Sequence, residues 1–118
     1  MTLIKSISGI RGIIGTSLDL KIVKKYVLAF SKISPNGTII LARDTRNSGE
    51  NFISNTIAVF DAVNRSSINC GIIPTPTAQL LIEKNNYAGG IVFTASHNPS
   101  NWNGMKFINS NGVFINQK

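Results

Sequence analysis

The sequence predicts an α/β fold with a mixed, mostly parallel sheet of about four strands. Continuous apolar runs such as Thr38-Ile39-Ile40-Leu41-Ala42 and residues 89–95, GGIVFTA, read as strands buried on both faces. Between them lie stretches with apolar residues every three or four positions, and strands alternating with helices make parallel crossovers. The Asn111-Gly112 pair near the end is a hairpin signal that adds an antiparallel element.

Residues 2–15, TLIKSISGIRGIIG, read as short β-like pieces flanking the turn glycines Gly9 and Gly12. From Leu18 to Ile33 the spacing is helical: Ile22, Val23, Tyr26, Val27, Phe30 and Ile33 share a face, with Lys21, Lys24, Lys25 and Lys32 on the solvent side. Ser17 is the expected cap, Asp19 suits the first turn and Pro35 follows the end. The strand at 38–42 runs into the polar loop Arg43-Asp44-Thr45-Arg46-Asn47-Ser48-Gly49. A second helix is expected from about Glu50 to Asn64, facing inward with Phe52, Ile53, Ile57, Phe60 and Val63, and a second strand at 68–73. Thr75 is the expected cap of a short helix with Pro76 at its first position and Leu80 and Leu81 turned inward. The strand at 89–95 leads straight into Ser96-His97-Asn98-Pro99; a last strand covers Met105 to Asn109, and a hairpin leads to Val113-Phe114-Ile115.

With 118 residues, 42% hydrophobic and 14% charged, the chain is one domain able to bury a core, and disorder is excluded. Its net charge of +7 divides into two groups. The helix lysines are a solvated face, whereas Arg11, Arg43, Arg46 and Lys106 fall in Gly- or Asn-rich loops suited to phosphate. The single cysteine, Cys70, rules out an intrachain disulfide and reads as a small buried hydrophobe. The start lacks a leader-like apolar region, and no apolar run reaches the roughly 18 residues of a membrane span, so a cytoplasmic chain with no membrane partner is expected. Aromatics lie mostly in helix core positions instead of interleaving with basic residues, which argues against nucleic acid as a partner.

Loops at the carboxyl ends of buried strands are where α/β sheets collect ligands, and both Arg43–Arg46 and Ser96–Asn98 fall there. Pro99 restricts Asn98 to extended backbone and stiffens the loop. Ser96 as a hydrolase nucleophile is poorly supported: no G-x-S-x-G surrounds it, and His97, the lone histidine, is its sequence neighbour. A phosphorylated Ser96 fits better. Phosphoserine carries a charge of about −1.5 to −2 and needs cations and donors. Arg11, Arg43, Arg46, His97 and Lys106 supply them, arginine bidentately and lysine as a point charge able to exchange a proton. The alternative is a non-catalytic phosphate- or nucleotide-binding domain of Rossmann type. Its G-x-G-x-x-G is absent, since Gly9, Gly12 and Gly15 recur every third residue.

Four ordered segments carry a resemblance. Thr94-Ala95-Ser96-His97-Asn98-Pro99 resembles the active-site signature of the phosphohexomutase superfamily, which includes phosphoglucomutases, phosphomannomutases and phosphoglucosamine mutases. Gly9-Ile10-Arg11-Gly12, Ala42-Arg43-Asp44-Thr45-Arg46 and Asn103-Gly104-Met105-Lys106 are similar to that family's G-I-R-G, G-R-D-T-R and N-G-x-K segments. Ala42 stands where glycine is usual, Trp102 where tyrosine is frequent, and Lys5-Ser6-Ile7 where many relatives have F-G-T.

The resemblance implies the three-layer α/β/α domain I of such an enzyme, spanning residues 1–118, as a truncated or excised piece lacking three further domains. It implies interconversion of hexose 1-phosphate and hexose 6-phosphate through a bisphosphorylated sugar. Ser96 would carry the phosphoryl group, Arg11 would grip it, Lys106 would move the proton and stabilise charge, and His97 and Asn98 would orient the reacting groups. Arg43 and Arg46 would add to the phosphate-binding surface. Mg²⁺ would be held by phosphorylated Ser96 together with a D-x-D-x-D loop of the second domain, absent from these residues. A hexose 1,6-bisphosphate would activate the enzyme, its partners would be the hexose phosphate substrate and the rest of its own chain, and the piece alone is expected to be inactive as a mutase and to self-associate.

Overall fold

The computed structural model describes residues 4–6, 9–95 and 98–115. Among them are β1 (Ile4–Ser6), β2 (Gly9–Ile13), α1 (Leu20–Ile33), β3 (Ile39–Arg43), α2 (Ser48–Ala62), β4 (Ser67–Ile72), α3 (Thr75–Asn85), β5 (Gly89–Phe93) and β6 (Trp102–Ile108). The strands form one mixed sheet in the order β1-β2-β6-β5-β3-β4. Strands β4, β3 and β5 run parallel, while β1, β2 and β6 pair antiparallel to their neighbours.

The α/β class and the mixed sheet are as expected, with two corrections. Six strands are described instead of about four, and antiparallel pairings outnumber parallel ones. Both follow from the first fifteen residues. Their glycines, read as turns, lie in strand β2, where Gly12 is paired with Asn103 across β6.

Alternating side chains divide the core into two sets. Ile39, Leu41, Ile91, Phe93 and Met105 meet Val23, Val27, Phe30, Phe52, Ile53 and Phe60 of α1 and α2 on one face. Ile40, Ala42, Val92 and Ile108 meet Ala78 and Ile82 of α3 on the other. The result is the three-layer α/β/α arrangement.

Local signals set the element ends. α1 is capped by Asp19, whose Oδ1 accepts the Ile22 N–H at 2.9 Å. Ser17 is not the cap, because its hydroxyl accepts the Ile13 N–H at 2.9 Å within the preceding turn. α2 begins two residues before its expected start, and Val63, expected to face inward, lies past its end and is exposed. Pro74, not Thr75, occupies the cap position of α3. Leu80 of α3 is half exposed, whereas Leu81, partly buried, packs against the core as expected, and the fully buried pair is Ala78 and Ile82. A side chain at Gly90 would come within 2.7 Å of the Ile82 methyl, so a bare patch on β5 selects which residue of α3 docks there.

β4 is an edge strand whose register on β3 shifts between Leu41 and Arg43. At that point Gly71 has φ +71°, and its N–H is taken by the Asn69 side chain at 2.9 Å. Cys70 is half-buried rather than fully enclosed, and burial raises its thiol pKa from the ordinary value of 9.0. The hairpin at the end is present: Ile108 bridges Phe114, and the Asn109 N–H meets the Val113 carbonyl at 2.8 Å. Among the described residues no helix is long and apolar enough to cross a membrane.

Candidate active site

The carboxyl ends of β3 and β5 lie side by side, with Arg43 opposite Phe93. The chain leaving β5 is held to two neighbours. The Thr94 N–H donates to the Gly104 carbonyl at 3.0 Å, and the Asp44 N–H donates to the Phe93 carbonyl at 3.1 Å. Ala95 is fully buried. Ser96 and His97 lie outside the described residues, but both flanks are visible: the Asn98 N–H donates to the Ala95 carbonyl at 3.0 Å.

Two of the expected arginines converge on Asn98. Arg11 Nη1 donates to Asn98 Oδ1 at 3.1 Å, and Arg46 Nη2 donates to the Asn98 carbonyl oxygen. Arg11 comes from β2 and Arg46 from the loop after β3, so three separate segments meet at Asn98, two residues after Ser96 in the sequence. Arg11 belongs to a strand and not to a loop, which aims it more rigidly. Its stem lies across Gly104, where a Cβ would come within 2.9 Å of the Arg11 Cγ and 2.1 Å of the Ile10 carbonyl oxygen.

Lys106 is likewise a strand residue, in β6 and paired with Val92 of β5. Arg11 pairs with Gly104, two residues before Lys106, so the two cations leave adjacent strands on the same face of the sheet. The Lys106 ammonium is 5.7 Å from the Phe114 ring centroid, within cation–π range.

Arg43 does not join this convergence. Its Nη1 contacts the carbonyls of Asp44 and Arg46 at 3.3 and 3.4 Å, and its Nη2 reaches Glu50 at 3.8 Å. Glu50 is 81% exposed, so this ion pair contributes little.

Sequence reasoning gave no role to two residues of the site. Asp44 accepts the Thr94 hydroxyl on Oδ2 at 2.8 Å and the Arg46 N–H on Oδ1 at 3.0 Å, and pairs with the Arg46 guanidinium. A carboxylate two residues before an arginine in a strand-end loop is a turn signal that could have exposed it. Asn103, fully buried, donates to the Ser48 hydroxyl at 2.7 Å and accepts the Gly104 N–H at 2.8 Å, tying β6 to the start of α2.

Residues 3–118 match the model of the phosphoglucomutase/phosphomannomutase α/β/α domain I. The chain belongs to that family. Among curated relatives, phosphoglucosamine mutase of Prochlorococcus marinus subsp. pastoris is 39% identical over 112 residues, covering 93% of this chain and 25% of the relative. Phosphoglucosamine mutase of Clostridium botulinum (strain Hall) is also 39% identical, over 114 residues and with the same coverage. The chain thus spans about a quarter of the length of these relatives. A crystal structure of a Thermus thermophilus protein assigned as a phosphomannomutase superposes with a TM-score of 0.82. It is 24% identical, covers 98% of this chain and 27% of that one, and shows the shared fold.

Proposed function

We propose that this domain I carries the phosphoserine of a mutase that interconverts hexose 1-phosphate and hexose 6-phosphate, with Ser96 as the carrier. The observation that supports it most is the meeting of Arg11 and Arg46 on Asn98, two residues after Ser96, at the carboxyl end of β5. Arg11 grips the phosphoserine, Lys106 transfers the proton and stabilises charge, His97 and Asn98 orient the reacting groups, and Arg43 and Arg46 add positive potential. In the step from bisphosphorylated sugar to enzyme, the Ser96 oxygen bonds to phosphorus, the phosphorus–sugar oxygen bond breaks, and the serine proton ends on the sugar oxygen. Such transfer depends chiefly on positioning and electrostatic stabilisation.

The relatives are named phosphoglucosamine mutases, which makes glucosamine phosphate the first sugar to test. Further domains of a longer polypeptide supply the sugar-selecting surface, and the 118 residues alone are inactive as a mutase. Exposed Ile68, Ile72 and Leu80 are consistent with a surface that meets those domains or a second copy. Mg²⁺ is the family's metal, but no group of three His, Cys, Asp or Glu side chains comes together among the described residues. These residues do not build a Mg²⁺ site by themselves, and the remaining ligands belong elsewhere in the full polypeptide. A cytoplasmic location fits this role in carbohydrate metabolism.

The test is peptide mass spectrometry of the full-length polypeptide after incubation with a hexose 1,6-bisphosphate. Phosphate on Ser96, lost in Ser96→Ala, is the expected result. Stable phosphate on another residue, with Ser96 unlabelled, overturns the assignment.

A further inference from the structure

Asp44 has no part in the roles just assigned, yet it stands where the loop after β3 meets the segment containing Ser96. Its Oδ2 accepts from the Thr94 hydroxyl at 2.8 Å, and its Oδ1 accepts from the Arg46 N–H at 3.0 Å. It also pairs with the Arg46 guanidinium, which in turn donates to the Asn98 carbonyl. Thr94 lies two residues before Ser96 and Asn98 two residues after it. One carboxylate is thus linked to both ends of the segment 94–98, directly at one end and through Arg46 at the other.

We propose that Asp44 is a positioning residue for Ser96: with Thr94 and Arg46 it clamps both flanks of the phosphoryl carrier and fixes where its oxygen is presented. This deepens the reading above and rests on it. Both oxygens of Asp44 already accept from these donors, so the carboxylate acts through the loop and not on the substrate. The side chains of Asp44 and Arg46 are 29% and 11% exposed, and a pair that far out of water suffers most when one partner is removed, because the other is left uncompensated. Arg46, so paired, also donates to the Asn98 carbonyl, so it serves the loop as well as the local positive potential. A reacting oxygen displaced by an ångström can cost about a hundredfold in rate, so the clamp matters to the chemistry as well as to the fold.

Two variants test this. Asp44→Asn keeps an acceptor for Thr94 but loses the charge, and Thr94→Val loses the hydroxyl at nearly constant shape. In the full-length polypeptide treated with glucose 1,6-bisphosphate, the saturating rate of Ser96 labelling should fall about 10- to 100-fold in Asp44→Asn, with the half-saturating concentration changed by less than about threefold. In the 118-residue chain, hydrogen exchange of the Thr94 and Asn98 amides, which donate to the Gly104 and Ala95 carbonyls, should quicken by about tenfold or more in both variants while those of α1 stay as in the parent. Parental labelling rate and parental exchange in a folded variant would overturn the proposal. So would an unchanged rate with a raised half-saturating concentration, which marks a binding group. If Asp44→Asn does not fold, Thr94→Val decides by the same two readouts. Failure of the parent to label at Ser96 would sink the carrier reading alone, because the exchange experiment reports on the clamp without any phosphoryl transfer.

Discussion

At the amino-terminal rim of the sheet, Arg65 gives all its side-chain N–H groups to the end of α1 and the turn after it. It donates to the Ser31 hydroxyl and to the carbonyls of Ser31, Ser34, Pro35 and Gly37, at 2.6 to 3.3 Å. At the carboxyl-terminal rim, Arg11 and Arg46 spend donors on one asparagine, and Arg46 is matched by a carboxylate. Both rims use arginine to fasten a loop. The first fastens carbonyls that a helix end leaves open, whereas the second fastens Asn98, two residues after the serine proposed as the phosphoryl carrier. An arginine in a loop is therefore no sign of a phosphate site until its partners are known.

The sharpest way to break the carboxyl rim is to fill a close strand approach beside it. Gly104→Ala would put a methyl within 2.1 Å of the Ile10 carbonyl oxygen and 2.9 Å of the Thr94 carbonyl oxygen. Because both obstacles are backbone, the expected loss is about 3 kcal/mol in urea unfolding, with Arg11 displaced as well. Breaking the amino rim should cost less and leave the chemistry alone. Arg65→Ala is expected to lose about 2 kcal/mol, with Ser96 labelling at the parental rate in the full-length polypeptide. A labelling defect there would erase the distinction between the rims.

Smaller perturbations sharpen it. Asp19→Ala removes the cap of α1 on which Arg65 acts from the opposite end, and should cost about 1 kcal/mol in the same unfolding assay. The least effect is expected at Cys70, on the edge strand β4. Its thiol pKa is raised by burial, so the protonated form is favoured in the fold. The associated stability is fully present below the ordinary value of 9.0 and is lost as pH rises through the higher folded value. Native protein should accordingly react with a thiol reagent at about pH 8 more slowly than the urea-unfolded chain, and equal rates would count against it.

Much of this was legible in the sequence, and the remainder has physical reasons. α1, α2 and the buried strands β3 and β5 declare themselves by periodicity. β2 did not, because Gly9 and Gly12 suit turns by propensity, and only pairing with β6 makes them strand residues. Leu80 and Leu81 are as apolar as Ile82, so composition alone does not choose the inner face of α3; Gly90 across the interface admits Ile82, with Leu81 at the margin and Leu80 half exposed. Within the site, the cations were visible as residue types, but Asp44 was not. Its importance lies in reaching Thr94, fifty residues away in the chain, a separation that no local pattern reveals.

The kinked edge at β4 has a consequence for crowding. With the Gly71 N–H turned onto Asn69 and the register on β3 shifted, an arriving strand from a neighbouring molecule meets no continuous row of open backbone groups. Such an edge disfavours growth by cross-β templating at that border, while apolar side chains nearby remain free to be covered.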